Sequence, residues 1–282
     1  MVNPMVKKLK TTKKNEFIII NDEIIAKDFA KISFEERGFL YGDGLFETIK
    51  FSESQLHNFN EHLKRLKFGL KYLKIDFDCK NLQEKCLKLI AKNCFDEGMI
   101  RIAISRGVGS MGYLPTNNLP LLIIQIKELP KIPNILNLIV SDYQPANFKF
   151  KSSNAINYIL AKIFAKENNY YDAILLSQKK FIAETSSANI FWIKNNVIFT
   201  PNEDCGIVLG IIREKILKQK TLKVKCGRYQ INSLINADEV FISNASIGIQ
   251  AVDKIAFRNK KNISVVNYKK TLVNNIVKPL KI

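Results

Sequence analysis

The chain has 282 residues, 46% of them hydrophobic, which is enough for a buried core and for two domains of ordinary size. Its formal net charge of +18 comes almost entirely from lysine, since the sequence contains only seven arginines. Proteins that bind nucleic acids favour clustered arginine, often beside aromatic residues, so we expect a solvated lysine-rich surface and no nucleic-acid partner. A broadly positive field would still attract a small anionic substrate or a phosphate-bearing cofactor.

Short sequence features argue against several other classes of protein. The longest apolar runs are far too short to span a bilayer, so no membrane partner is expected. The five cysteines form no Cys-x-x-Cys pair, and only His57 and His62 could assist them, so we expect neither a disulfide framework nor a metal site. No apolar segment of signal-peptide length follows the basic residues 1–15, and we therefore expect a cytoplasmic protein.

The first half of the chain alternates strand and helix patterns. Apolar β-branched residues around Asn21 and Asp22 predict a hairpin, and Asn60 is the expected N-cap of a helix with leucines on one face. The predicted elements are the hairpin over residues 17–26, a glycine-rich segment over 37–44, a strand over 45–51, helices over 61–73 and 81–93, and strands over 99–105 and 119–126.

The second half restarts the pattern after a proline-punctuated stretch. A helix over residues 154–168 has an apolar face that includes Ile156, Ile159 and Ile163. The other predicted elements are strands over residues 138–141, 173–176, 188–193, 197–199 and 240–243, and a helix over 209–218.

Strands interleaved with helices in both halves predict an α/β (α+β) protein with two lobes. We divide the chain into a basic N-terminal tail over residues 1–15, a smaller α/β domain over 16–128, a linker over 129–137 and a larger domain over 138–282. The linker is placed by two prolines, Pro130 and Pro133.

Lys151 is the candidate reactive residue. It follows a strand-like apolar segment and precedes a helix start. Burial and cationic neighbours at such a place depress the pKa of an amine, as a nucleophilic lysine requires.

Glu184 follows three apolar residues and precedes a cluster of Ser, Thr and Asn residues, which places it at the end of a strand. One interpretation is a turn or cap residue. The other is a carboxylate that pairs with a buried cation, such as a pyridinium nitrogen.

Two segments offer hydrogen-bond donors that could bind an anion. Gly210 opens the helix over residues 209–218, and backbone N–H groups at a helix start bind phosphate. The loop over residues 243–246 offers side-chain and backbone donors, and Arg65 could supply a permanent charge.

In their order along the chain, these segments resemble the class IV aminotransferase family, the fold type IV pyridoxal-phosphate enzymes. The resemblance covers roughly residues 17–257. The motifs that carry it are Arg37-Gly-Phe-Leu-Tyr-Gly-Asp-Gly-Leu-Phe-Glu-Thr48, His62-Leu-Lys-Arg-Leu66, Ser105-Arg-Gly107, Lys151 with Asn154, Glu184 with Asn189-Ile-Phe191, Gly210-Ile-Ile-Arg213 and Val240-Phe-Ile-Ser-Asn244.

The resemblance implies pyridoxal 5'-phosphate as the cofactor, bound between the two domains and mainly by the larger one. Lys151 would hold it as a Schiff base and then move protons at the substrate Cα, while Glu184 would keep the pyridine nitrogen protonated. The residues implied for the phosphate are Arg65, the backbone of Ile211 and Ile212, and the loop of Asn244 and Ala245.

The resemblance also implies a homodimer in which the partner subunit lends part of each pocket. Phe46, Arg106 and Tyr113 are the candidate substrate-binding residues.

Departures from the family motifs bear on the branch of the family. Ile156 stands where branched-chain aminotransferases carry a Tyr, whereas Asn154 matches D-amino-acid aminotransferases and aminodeoxychorismate lyases. Ala245, where aminotransferases usually have Thr, also resembles the lyases. Met111 argues against the lyases, because they often have Arg at this loop position.

The predicted function is a lyase of folate biosynthesis that converts 4-amino-4-deoxychorismate to 4-aminobenzoate and pyruvate. The alternative is an aminotransferase acting on D-amino acids or branched-chain amino acids with 2-oxoglutarate. A basic nucleic-acid-binding protein that has lost its chemistry is a third hypothesis, against which the retained Lys151 and Glu184 argue.

Overall fold

The computed structural model describes residues 16–116, 119–258 and 263–277, so the predicted basic tail lies outside the described residues. Within these ranges the chain forms two β-sheets flanked by helices, which agrees with the predicted α/β class. No helix in the described part of the chain is long and apolar enough to cross a membrane.

The first sheet is antiparallel and has, among the described residues, the strand order β2-β1-β6-β5-β3-β4. Its strands are β1 (Phe17–Ile20), β2 (Glu23–Ala26), β3 (Gly44–Ser52), β4 (Gln55–Leu56), β5 (Glu97–Ser105) and β6 (Leu121–Lys127). Its helices are α1 (Arg37–Tyr41), α2 (Phe59–Leu73) and α3 (Leu82–Asn93).

The second sheet is mixed, and in the described ranges its main path runs β12-β11-β10-β9-β8-β7-β15-β16, with β13 and β14 joined through β10. Its strands are β7 (Asn137–Val140), β8 (Asp172–Leu176), β9 (Ile182–Thr185), β10 (Asn189–Lys194), β11 (Val197–Pro201), β12 (Val224–Gly227), β13 (Glu239–Asn244), β14 (Gly248–Ala251), β15 (Lys254–Arg258) and β16 (Ile263–Asn267). Its helices are α4 (Ile156–Glu167), α5 (Ile211–Leu217) and α6 (Asn232–Ile235).

The predicted hairpin is confirmed, since β1 and β2 pair antiparallel around Asn21. The predicted N-cap of α2 is wrong. The helix begins at Phe59, so Asn60 lies inside its first turn, and the preceding Asn58 is left-handed with no side-chain capping bond. The first sheet spans residues 17–127 and the second 137–267, and the exact domain boundaries stay a prediction.

The central strands of the second sheet are buried on both faces. Along β10, side chains alternate between two apolar clusters, with Ile190 and Trp192 in one and Phe191 and Ile193 in the other. Phe191 stacks on Phe241 of β13 with ring centroids 4.7 Å apart. A strand buried on both sides has no solvent face, which explains the continuous apolar run in its sequence.

The helix α2 packs closely on the segment that precedes Lys151. A Cβ added at Gly69 would lie 2.4 Å from Leu45 and 2.8 Å from the ring of Phe150, so this close approach requires glycine. Phe150 and Leu45 are both buried in the core of the first sheet.

The backbone around Lys151 joins the two halves of the chain. Phe46 of β3 donates its N–H to the carbonyl of Lys151 at 2.8 Å, and Ser153 donates to Gly44 at 2.9 Å. On the other side, Leu209 donates to the carbonyl of Lys149 at 3.0 Å. These bonds hold Lys151 where the first sheet meets the loop that leads into α5.

Candidate active site

Both halves of the chain line one cavity of about 310 Å³. Lys151 reaches it from the segment before α4, Glu184 from β9 and Arg65 from α2. The structure therefore brings together three side chains that the sequence predicted from separate motifs.

Lys151 is half-buried at the wall of this cavity. Burial and the positive charge of Arg65 lower the pKa of its amine to about 8, although Glu47 and Glu184 act in the opposite direction. A usable fraction of the amine is therefore neutral near physiological pH, as nucleophilic attack requires.

Glu184 is buried on β9 and accepts hydrogen bonds from three donors. These are the hydroxyl of Tyr158 at 2.8 Å, the side-chain amide of Asn189 at 3.1 Å and the backbone N–H of Val208 at 3.1 Å. Burial raises the pKa of Glu184 to about 7, against the lowering effect of the Tyr158 and Val208 bonds and of the charge on Lys151. A cationic partner in the cavity would therefore stabilise the ionised form of this carboxylate.

Arg65 is fixed by a buried carboxylate. Its Nε and Nη2 each donate to Glu47 at 2.7 Å, and its Nη1 donates to the carbonyl of Leu209 at 2.7 Å. His62 donates from Nδ1 to Glu47 at 2.7 Å. Burial raises the pKa of Glu47, but Arg65 and His62 outweigh it and bring the pKa to about 2. The pair is charged at neutral pH and orients the remaining Arg65 N–H groups.

The predicted anion donors lie around the same end of the cavity. Gly210 and Ile211 line it at the start of α5, where the first helical N–H groups have no carbonyl partner inside the helix. Gly210 is required there, because a Cβ would lie 2.0 Å from the amide oxygen of Asn189. Ile212 is the next residue of α5 and is buried.

The loop after β13 adds further donors. Asn244 uses its side chain to close the loop, accepting from the N–H groups of Ser246 and Ile247 and donating to the carbonyl of Ser187. The hydroxyl of Ser243 is buried beside the cavity and has no hydrogen-bond partner among the described residues. Ala245 completes the loop at the cavity wall.

Two cations lie close to the ring of Phe46. The guanidinium of Arg101 stands 3.5 Å from the centroid of its ring, and the amine of Lys151 lies 5.4 Å from the same centroid. Within the described ranges Arg101 pairs with no carboxylate. Arg101 does not line the cavity itself, but it lies against the lining residue Phe46, and its charge contributes to the lowered pKa of Lys151.

Two predicted substrate residues lie outside this cavity. Arg106 donates to both oxygens of Asp43 and to the carbonyls of Leu73 and Lys74, which occupies its guanidinium. Tyr113 is 91% exposed, in a loop whose carbonyls are bound by the buried Arg37. Within one copy of the chain, neither side chain faces Lys151.

Sequence reasoning missed Tyr158 and Arg101 as site residues, and assigned no role to Glu47. Glu47 lay inside a quoted motif, so its burial beside Arg65 could have been suspected from the strand alternation of β3. The partners of Tyr158 and Arg101 lie on other elements, and only the tertiary structure reveals them.

The site has a definite chemical polarity. An amine with a lowered pKa, a buried carboxylate and a group of anion donors around Arg65 share one cavity. Such a site can hold a ligand that offers an anionic group, a carbon that an amine can attack and a basic nitrogen.

Comparisons with known proteins agree with this description. The family model of amino-transferase class IV matches residues 44–255. An aminodeoxychorismate lyase of Vibrio harveyi is 30% identical over 256 residues, which cover 86% of this chain and 94% of the relative. A D-alanine aminotransferase of Listeria monocytogenes is 28% identical over 252 residues, covering 84% of this chain and 87% of the relative. The solved T.th. branched-chain amino acid aminotransferase with pyridoxamine 5'-phosphate matches with a TM-score of 0.78 and 26% identity over 86% of each chain.

The raised pKa of Glu184 predicts a pH-dependent stability. The pKa of Glu184 is about 7 in the folded protein, against an ordinary value of 4.5. The free energy of unfolding therefore falls as the pH rises from about 4.5 to 7, and it stays lower above pH 7. Glu184→Gln removes this loss, so the ligand-free variant should exceed the wild type by up to about 3 kcal/mol above pH 7 and match it below pH 4.5. Thermal denaturation between about pH 4 and 8 measures the difference.

The control is Glu167→Gln, which changes an exposed carboxylate at the end of α4. A difference between Glu184→Gln and wild type that does not vary with pH would contradict the buried, ionisable state of Glu184.

Proposed function

We propose, from the premise that this chain belongs to the class IV aminotransferase family, that it is a lyase that converts 4-amino-4-deoxychorismate to 4-aminobenzoate and pyruvate. The family and its solved complexes make pyridoxal 5'-phosphate the cofactor of this chain. The observation on which the assignment of the site rests is that Lys151, Glu184 and the anion donors around Arg65 all line one cavity.

The residues present fit the cofactor. The phosphate would lie against Arg65, the backbone of Ile211 and Ile212, and the loop of Asn244 and Ala245, where the hydroxyl of Ser243 lacks a partner among the described residues. Glu184 would accept from the protonated pyridine nitrogen. When bound, the cofactor supplies an electron-withdrawing ring that stabilises negative charge on the substrate carbon carrying the amine.

The protein's own residues would do the rest. Lys151, with its pKa near 8, would bind the cofactor and then take and return a proton at that substrate carbon. Arg101, beside Phe46, would attract a substrate carboxylate. Phe148 and Phe150 line the adjacent wall and limit the access of water.

One wall residue supports the lyase. Ala245 lines the cavity and resembles the lyases, since aminotransferases usually have Thr there. Asn154 also lines the cavity, but it matches both the lyases and the D-amino-acid aminotransferases and argues only against the branched-chain enzymes. The relative from Vibrio harveyi also supports the lyase. The second candidate is an aminotransferase for D-amino acids, favoured by the relative from Listeria monocytogenes and by Met111 in place of the loop Arg.

We also propose that the chain acts as a homodimer. Three large side chains of the predicted apolar face of α4 point to solvent: Ile156 at 57%, Ile159 at 53% and Ile163 at 46% exposure. The buried face of α4 consists instead of Ala161 and Ala165. A group of exposed large apolar side chains on one helix face is typical of a surface that contacts another protein. A second copy covering it would bring another chain towards the pocket, where the exposed Tyr113 could act in trans.

The role of Lys151 predicts a single labelled peptide. Borohydride reduction of the yellow holoprotein should fix the cofactor to Lys151, because this amine faces the cavity with a lowered pKa. Mass spectrometry of a digest identifies the site. Lys149→Ala is the matched control, since Lys149 pairs with Glu203 outside the cavity and its loss should leave the label in place. A cofactor-labelled peptide without Lys151 would overturn the assignment.

The lyase predicts pyruvate formation from 4-amino-4-deoxychorismate with no added keto acid. Lactate dehydrogenase coupling measures pyruvate, and absorbance or chromatography measures 4-aminobenzoate in equal amount. Lys151→Ala should lower the rate by at least about 1,000-fold, because it removes the attacking amine and the proton carrier. If turnover instead requires 2-oxoglutarate and yields glutamate, the enzyme is a transaminase and the lyase proposal fails.

The dimer predicts that Ile159→Asp halves the mass in solution, because an unpaired carboxylate in a buried apolar contact is strongly unfavourable. Light scattering coupled to gel filtration measures the mass. Ile135→Asp places the same charge on a residue that is 61% exposed in the segment before β7, and should remain dimeric. A wild-type protein of about 32 kDa in solution would contradict the dimer.

A further inference from the structure

Tyr158 lies in the first turn of α4, seven residues after Lys151, and its ring lines the cavity. Its hydroxyl has two polar neighbours: it lies 2.8 Å from Glu184 Oε1 and 3.3 Å from the backbone N–H of Ala146. The Ala146 amide can only donate, so it occupies a lone pair of the hydroxyl oxygen. The single phenolic proton is therefore directed to Glu184.

The Tyr158 bond is the shortest that Glu184 receives among the described residues. Val208 shares one N–H between both carboxylate oxygens at 3.2 and 3.1 Å, and Asn189 divides its amide between Glu184 at 3.1 Å and the carbonyl of Val208 at 2.9 Å. A hydrogen bond to a carboxylate is stronger than one between neutral groups. Removing the Tyr158 hydroxyl would leave only the two longer bonds, from Asn189 and Val208.

The charged groups that act on Glu184 are Lys151, from the segment before α4, and Arg65, from α2. Neither forms an ion pair with it in the described part of the chain. Burial raises the pKa of Tyr158 strongly, which keeps its hydroxyl protonated and able to donate at any pH where the enzyme works. Tyr158 is thus a constant donor, whereas the charge on Lys151 changes with pH.

We propose that Tyr158 is a positioning residue that holds the Glu184 carboxylate ionised and aimed at the pyridine nitrogen of the cofactor. This inference rests on the proposed role of Glu184 towards that nitrogen. Because Tyr158 and Lys151 belong to one short stretch of chain, Tyr158 also fixes the nitrogen-binding group relative to the reactive amine. A substitution at Tyr158 would therefore act through Glu184 and not through direct contact with the reacting atoms.

The test measures the proton affinity of Glu184 in the cofactor-free protein by ¹³C NMR of labelled glutamate carboxyls. The resonance of Glu184 is assigned by its disappearance in Glu184→Gln. Tyr158→Phe should raise the apparent pKa of Glu184 by about one to two units, the usual effect of losing a hydrogen bond to a charged group. Tyr143→Phe is the matched control, because Tyr143 packs in the same apolar cluster and its hydroxyl bonds to no described residue. An unchanged pKa in Tyr158→Phe would overturn the proposal.

A second arm uses the holoenzyme and asks whether Tyr158 acts through Glu184. Tyr158→Phe should shift the pH midpoint of the cofactor's visible absorption and lower kcat more than it raises KM. In a Glu184→Ala background, which removes the acceptor of the Tyr158 hydroxyl, the same change should have no further effect. Additive losses in the double variant would overturn the proposal. Failure of the proposed lyase is distinguishable, because it would appear as turnover that requires 2-oxoglutarate, while the NMR result and the shift of the cofactor's absorption still stand.

Discussion

The site depends on the backbone hydrogen bonds that hold residues 149–153 between the first sheet and the loop before α5. Phe46 and Gly44 bind this segment from β3, and Leu209 binds it from the other side. A lysine side chain is long and flexible, so its position is defined only if its backbone is fixed on both sides. The close packing of Gly69 against Phe150 serves the same purpose, because it holds α2, and hence Arg65, against the segment.

Burial acts differently on the two carboxylates of the site, and the number of charged donors decides the outcome. Glu47 receives two bonds from a fixed guanidinium and one from His62, which outweigh the cost of burial and leave its pKa at about 2. Glu184 receives only neutral donors, and burial prevails with a pKa of about 7. The Glu47 carboxylate therefore stays ionised and holds Arg65 in place. The ionised form of Glu184 is destabilised by burial, and a cationic nitrogen of a ligand would stabilise it.

Much of the fold could be predicted from the sequence, because the strands with continuous apolar runs and the amphipathic helices leave a periodic pattern. The strands β4, β12, β14, β15 and β16 were missed, since each is short and carries too few residues for a periodic pattern to stand out. At the site, Lys151, Glu184 and Arg65 were predicted, but their contacts were not. Tyr158 illustrates the reason: nothing in its neighbouring residues indicates that a buried carboxylate faces it across the fold.

The arginines explain why so positive a chain has so polarised a site. Arg37, Arg65, Arg106 and Arg213 are all buried, and each uses its planar fork to bind carbonyls or a carboxylate at fixed geometry. Arg101 is half-buried over Phe46. Lysine, which is more strongly hydrated, supplies most of the remaining positive charge. These five arginines therefore lie where orientation matters, and the positive field of the chain favours anionic ligands over cationic ones.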